Sequence, residues 1–249
     1  MMFDTLGGVP RALTYFSAVI VAEFFIDQFF VRQIILRKAR YFVLHVLFNS
    51  WLTICVWHDA VDALRAPETA LLGDRDNQGF ADSAIVTTAG ISGFHIYHAL
   101  FFSGISTEDW IHHVVSCIIV PIVGICAPFG KVVSISNLGM CGVPGAIDYA
   151  LLAGVKYGVV DRVTEKRVNS VLNLIIRFPL QLLASYTFCV GWSNGTLAKT
   201  TEMGEKGWVQ ILMSIAVALH TLNAAYYCQK VIGNYHVVVA AQQYNLHAD

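Results

Sequence analysis

Charge is what this chain has least of. Asp, Glu, Lys and Arg make up 13% of its 249 residues, where a soluble domain carries about a quarter. The 16 Lys and Arg almost cancel the 17 Asp and Glu, leaving a formal net charge of −1. That balance supplies no basic footprint for nucleic acid. A disulfide framework is also missing, because Cys55, Cys117, Cys126, Cys141, Cys189 and Cys228 all fall in or beside apolar segments. They read as small buried hydrophobes. No repeat, low-complexity tract or linker divides the chain, so one domain is expected. No Gly-x-Ser-x-Gly elbow or comparable nucleophile motif occurs. The segment "YNLHAD" carries no retention signal.

What is present is apolar length. Hydrophobic residues make up 56% of the chain. They gather into stretches of the roughly 20 residues that a bilayer crossing requires. The stretches are 11–35, 38–58, 82–104, 107–127, 131–156, 166–191 and 206–231. The expected fold is an all-α integral membrane protein of about seven transmembrane helices. The fifth stretch should kink or break at Gly142, Pro144 and Gly145. The first lacks a basic leader and a small-residue cleavage site, so it is expected to be retained.

Loop charge sets the expected orientation. Arg32, Arg37, Lys38 and Arg40 follow the first span, and Arg162, Lys166 and Arg167 follow the fifth. In a seven-span chain these share one side, expected to be cytosolic. Glu68, Asp74, Asp76 and Asp82 fall on the other, with the glycosylation sequon Asn194-Gly195-Thr196. The amino terminus is then outside. Residues 1–37 hold the first span, 38–232 the other six, and 233–249 a cytosolic tail.

Polar residues inside such spans are costly and usually face a bundle interior or a cavity. Here they recur three or four apart, on one side of each helix. Glu23 and Asp27 form one stripe, and His45 and Asn49 a second. His95 and His98 form a third, and Asp109 with His112 and His113 a fourth. Asn169, Asn173 and Arg177 make a ladder, His220 and Asn223 share a face, and Asp148 follows the fifth-span break. With the expected topology, most of these lie roughly 5–14 Å below the cytosolic boundary at the rise of a helix. The pattern implies a polar chamber open to the cytosol, closed toward the lumen by an apolar plug.

Each group has a plainer role to weigh. Asp109 follows Ser106 by three, as in a capping box. Arg177 could pair with Asp148 and join two helices. A lone intramembrane histidine is commonly a helix–helix hydrogen bond. Five histidines at similar depth (His45, His95, His98, His112 and His113) favour a chemical role more strongly. Metal is the weaker candidate, because the combined H-x-x-H-H box of di-iron membrane enzymes never occurs and four scattered imidazoles specify no ion. No metal and no bound cofactor are expected. Acyl transfer is the stronger one: a histidine can take the proton of an attacking amine or hydroxyl.

The element "DWIHH", Asp109 to His113, in a seven-span protein with its amino terminus outside resembles the TLC-domain family. The matching region runs from Lys38 to about Ile232. The resemblance implies a six-helix barrel around a lipid-sized cavity, preceded by one extra span. It also implies ceramide-synthase-like chemistry, with acyl-CoA as co-substrate and His112 and His113 as required residues. The chain departs from ceramide synthases in "LGMCGVPGAIDYALLAGVK". There the expected His-Asp is replaced around Val143-Pro144 and another acid is a leucine, so the resemblance is distant. The expected function is therefore lipid binding in a polar chamber within lipid metabolism, through acyl transfer to a lipid amine or hydroxyl if the protein is an enzyme. His112, His113 and Asp109 are the catalytic candidates. His45, Asn49, His95, His98, Asp148, Asn173, Arg177 and His220 are the lipid-binding ones. The alternatives are a non-enzymatic lipid sensor and a structural subunit of a membrane complex. Membrane lipid is the expected partner, with a second copy or complex subunits beside it, in an endomembrane such as the endoplasmic reticulum.

Overall fold

The computed structural model describes residues 9–72, 81–102, 107–196 and 207–246. Within them the chain is helical, without β-strands. Apolar segments of this length satisfy their backbone internally, as lipid would demand. The helices are α1 (Val9–Ile34), α2 (Arg40–Arg65), α3 (Asp82–Phe101), α4 (107–126), α5 (Val132–Tyr157), α6 (Arg162–Ser193) and α7 (Gly207–Leu246). Six of them (all but α4) are long and apolar enough to cross a membrane, which fits an integral membrane protein. In α4 the apolar part is the shorter Cys117–Cys126, because its first turns, "TEDWIHHV", are polar.

Local sequence explains the irregularities. The expected break in α5 occurs at Cys141-Gly142, between Val132–Met140 and Val143–Tyr157, with Pro144 opening the second half. Wide π turns interrupt α4 at Val115–Ile119 and α6 at Asn173–Arg177. Each lies just before a proline, Pro121 or Pro179, whose missing N–H and ring bulk prevent a normal helical bond. Helix α6 begins at Arg162, earlier than the expected 166. Asp161 caps it, its carboxylate accepting from the N–H groups of Val163 and Thr164 at 2.9 Å each. Helix α7 runs on to Leu246, so most of the expected tail is helical. No proline interrupts it, and 40 residues reach about 60 Å.

Helices α2 to α7 pack in the cyclic order α2–α3–α4–α7–α6–α5, and α1 lies outside against α3. The α1–α3 approach is close: a Cβ at Gly93 would stand 2.8 Å from the Phe16 carbonyl oxygen. At one end of the bundle Arg11 pairs with Asp82, and Ser83 donates to Asp59. At the same end Thr196 donates to the Glu68 carbonyl at 2.8 Å. Lys131 sits 3.3 Å from both Asp59 and Asp62. Desolvation opposes its charge, but the two carboxylates prevail and raise its pKa above the usual lysine value. Exposed His58 joins Asp62 at 3.3 Å. Inside this end Leu52, Leu71, Phe129 and Phe188 are buried in one apolar cluster. At the other end the Leu36 N–H donates to the Tyr157 hydroxyl at 3.2 Å. Asp74 and Asp76 lie outside the described residues.

Candidate functional site

Inside the ring is a cavity of about 300 Å³, walled by residues of α2 to α7 and by none of α1. Its polar groups come from every one of those helices except α4. They include His45 and Asn49 on α2, His95 on α3, Asp148 on α5, Arg177 on α6 and His220 on α7. Val120, Val133, Ala184 and Val217 make up part of the apolar remainder. The chamber therefore suits a molecule with both polar and apolar parts.

The histidines are held by their own helices. His45 Nδ1 lies 2.9 Å from the Tyr41 carbonyl and His95 Nδ1 lies 2.7 Å from that of Ile91. A carbonyl oxygen can only accept, so each Nδ1 carries the proton. In the neutral ring Nε2 is then the atom with the lone pair. Among the described residues His45 Nε2 is buried without a partner. The His45 ring stacks on Tyr149 at 3.9 Å and lies 4.5 Å from His98. His98 is fully buried behind the wall, enclosed by Tyr41, Phe94 and Phe102, with neither ring nitrogen bonded among the described residues. His113 packs 5.0 Å from His95 but does not line the cavity. The side chains of Asp109 and His112 lie outside the described residues. Among the described residues the histidine nitrogens do not converge on a common point; the metal-like group is the surface set His58, Asp59 and Asp62, where Lys131 already supplies the cation.

The α6 ladder is longer than its three sequence-identified rungs. Asn173, fully buried, donates to the carbonyl and side-chain oxygens of Asn169 at 2.9 and 2.7 Å. Arg177 Nη1 donates to Asn173 Oδ1 at 3.0 Å. Four residues on, Gln181 exchanges hydrogen bonds with Ser136, and Ser185 meets Thr221 at 2.6 Å. Gln181 and Ser185 continue the same four-residue spacing and both line the cavity. Extending the ladder by two turns would have found them. Asn137, also in the wall, donates to Thr87 and Thr88 at 2.9 and 3.0 Å. Asp148 and Arg177 do not form the ion pair weighed from the sequence. Among the described residues Asp148 makes no hydrogen bond, and its buried Oδ1 and Arg177 Nε are unpartnered.

A second hollow of about 290 Å³ lies between α4 and α7. Val115, Val120, Leu219, His220, Leu222, Asn223 and Tyr226 line it, and Val120 and His220 belong to both voids. Its outer residues Leu219, Leu222 and Tyr226 are exposed apolar surface. The π turn of α4 sits at this seam.

No family model matches the chain, and no curated protein or solved structure matches it significantly.

Proposed function

We propose that the protein is a multi-pass membrane protein that holds one lipid, its headgroup in the chamber and its chain leaving through the α4–α7 hollow, and that it acts in lipid metabolism. One observation carries this reading. Among the described residues, the chamber wall keeps buried polar atoms without partners, at His45, Asp148 and Arg177. An unsatisfied buried polar group is costly, and a polar headgroup would satisfy all three. The adjoining hollow, with its apolar outer rim, supplies a route for the chain. The TLC-like "DWIHH" element agrees with such a role, and an endomembrane such as the endoplasmic reticulum is the proposed location. Mass spectrometry of lipids retained after detergent extraction tests the reading. A stoichiometric lipid that is lost when Ala184→Trp fills the chamber supports it. Equal lipid content in both proteins contradicts it and favours a structural subunit whose polar faces serve partner helices.

A second reading, acyl transfer, is favoured by the histidine tautomers. His45 turns Nε2 away from its helix carbonyl, where it is unpartnered among the described residues, leaving a base in the chamber wall. A lipid amine or hydroxyl would lose its proton to such a nitrogen and attack the acyl-CoA thioester. The carbon–sulfur bond would break and CoA would leave as the thiol, taking up the proton. His112, His113 and Asp109 remain the candidates that the family resemblance supplies for the same task. Release of free thiol from acyl-CoA, lost in His45→Ala or His112→Ala, would establish turnover. No release from any acyl-CoA and lipid pair would leave the binding role alone.

A further inference from the structure

Two opposite charges share the chamber without touching. Asp148, on the second half of α5, is 9% exposed and has no hydrogen bond or ion pair among the described residues. Arg177, on the π turn of α6, spends one nitrogen on Asn173 and keeps Nε unpartnered. Both line the same cavity. A carboxylate and a guanidinium in a low-dielectric interior close on each other when free to do so. Here Arg177 is tied down the ladder to Asn173 and Asn169, and no ion-pair contact joins it to Asp148. The wall thus presents an anion-binding fork and a cation-binding carboxylate on one cavity, with no ion-pair contact between them.

We infer that the chamber recognises a zwitterionic phospholipid headgroup, the phosphodiester at Arg177 and the ammonium at Asp148. This rests on the lipid-binding role proposed above and adds the chemical class of the lipid. Guanidinium groups bind phosphate through paired N–H donors, and Arg177 retains donors for it. The ammonium is a compact cluster of donors for the unsatisfied Asp148 oxygen. Neighbouring Asn169 and Tyr149 supply further polar wall. A purely anionic lipid would leave Asp148 unmet and repelled, and an uncharged one would leave both charges unmet. The apolar remainder of the chamber and the α4–α7 hollow favour a lipid-linked zwitterion over a free one.

The test is native mass spectrometry of the full chain in mixed micelles with equal amounts of phosphatidylethanolamine, phosphatidylglycerol and diacylglycerol. The wild type should retain phosphatidylethanolamine over both competitors. Arg177→Gln should weaken both phospholipids, by on the order of tenfold for a lost charge-assisted pair. Asp148→Asn should weaken phosphatidylethanolamine alone, bringing it level with phosphatidylglycerol. If Arg177→Gln does not fold, Arg177→Lys keeps the charge, removes the fork and should give a smaller loss of the same kind. A wild type that holds lipid without headgroup preference, or a preference unmoved by either charge variant, overturns this inference and leaves lipid binding standing. Retention of no lipid at all overturns both. Displacement by free phosphoethanolamine would assign the site to a soluble zwitterion and overturn the lipid source.

Discussion

Helices α2 and α3 each serve two buried polar clusters, and the two are built on opposite terms. In the first, Asp27 of α1 is fully buried and accepts from Arg40 of α2 and from the Tyr97 hydroxyl of α3. Gln28 adds a bond at 3.3 Å, and Arg32 in turn donates to Gln28 at 2.8 Å. This carboxylate has donors from three helices and ties α1 to the ring, while buried Glu23, one turn earlier, keeps Oε2 unpartnered among the described residues. In the second, the chamber, buried Asp148 has no partner among the described residues, and half-buried Arg177, tied to Asn173, keeps Nε unpartnered. A satisfied buried charge fixes helices, whereas an unsatisfied one beside empty volume is prepared for something else. The distinction is one of partners, since both carboxylates are buried to nearly the same extent.

The largest effect should come from breaking the satisfied cluster. Asp27→Ala leaves the Arg40 guanidinium without its carboxylate, and removing one member of a buried pair costs about 3–5 kcal/mol. Unfolding by sodium dodecyl sulfate titration should show that loss, and the headgroup preference of the surviving folded fraction should be unchanged. A loss of under about 1 kcal/mol, the range of a surface pair, would remove the structural role assigned to this cluster. Next is Gly145→Ala. A Cβ there would stand 2.7 Å from Asn49 Nδ2, so the Asn49 side chain or the α2–α5 spacing must give, at about 1–3 kcal/mol for overpacking. The same titration checks it, and an unchanged midpoint would show that Asn49 yields freely.

Asp148→Asn sharpens the contrast from the other side. No bond is lost in the lipid-free protein, so stability should change by less than about 1 kcal/mol. A cost comparable to that at Asp27 would mean that Asp148 is structural too. The smallest effect is expected at Asp161, outside both clusters. Hydrogen bonds from Thr164 and Val163 hold its carboxyl below the usual aspartate pKa. Its contribution is therefore present above the ordinary carboxylate range and lost as pH falls through the folded pKa. Asp161→Ala should give a slightly lower melting temperature at neutral pH and converge with the wild type in acid. A difference that grows in acid would contradict the cap.

Much of the frame was legible in the sequence because it follows from length and periodicity. Apolar runs marked the helices, Gly142 and Pro144 marked the break in α5, and four-residue spacing marked the ladder on α6. Several chamber residues (His45, Asn49, His95, Arg177 and His220) were found from stripes alone, and Asp148 from its place after the fifth-span break. Partner choice was not legible. Asp27 was expected at a depth similar to that of the histidines, but it turns to Arg40 and Tyr97. Which residues of two helices meet depends on their relative rotation and shift, and spacing within one helix carries neither. The same reason explains Arg177, whose π turn directs it along its own helix to Asn173 and away from a direct bond with Asp148. The extent of α7 was misjudged because hydropathy falls near Gly233 although nothing there stops a helix.

The central claim is that the unsatisfied chamber receives a lipid headgroup while the satisfied cluster does not. Photo-crosslinking tests it most directly, using a phosphatidylethanolamine with a diazirine beside its phosphate, incorporated into vesicles with the full chain and mapped by peptide sequencing. The account predicts adducts on chamber-wall residues such as Met140, Cys141 and Tyr149, reduced in Asp148→Asn and unchanged in Gln28→Ala. Adducts confined to exposed apolar positions such as Ile34, Ile54 and Leu100, with none in the chamber, would contradict it.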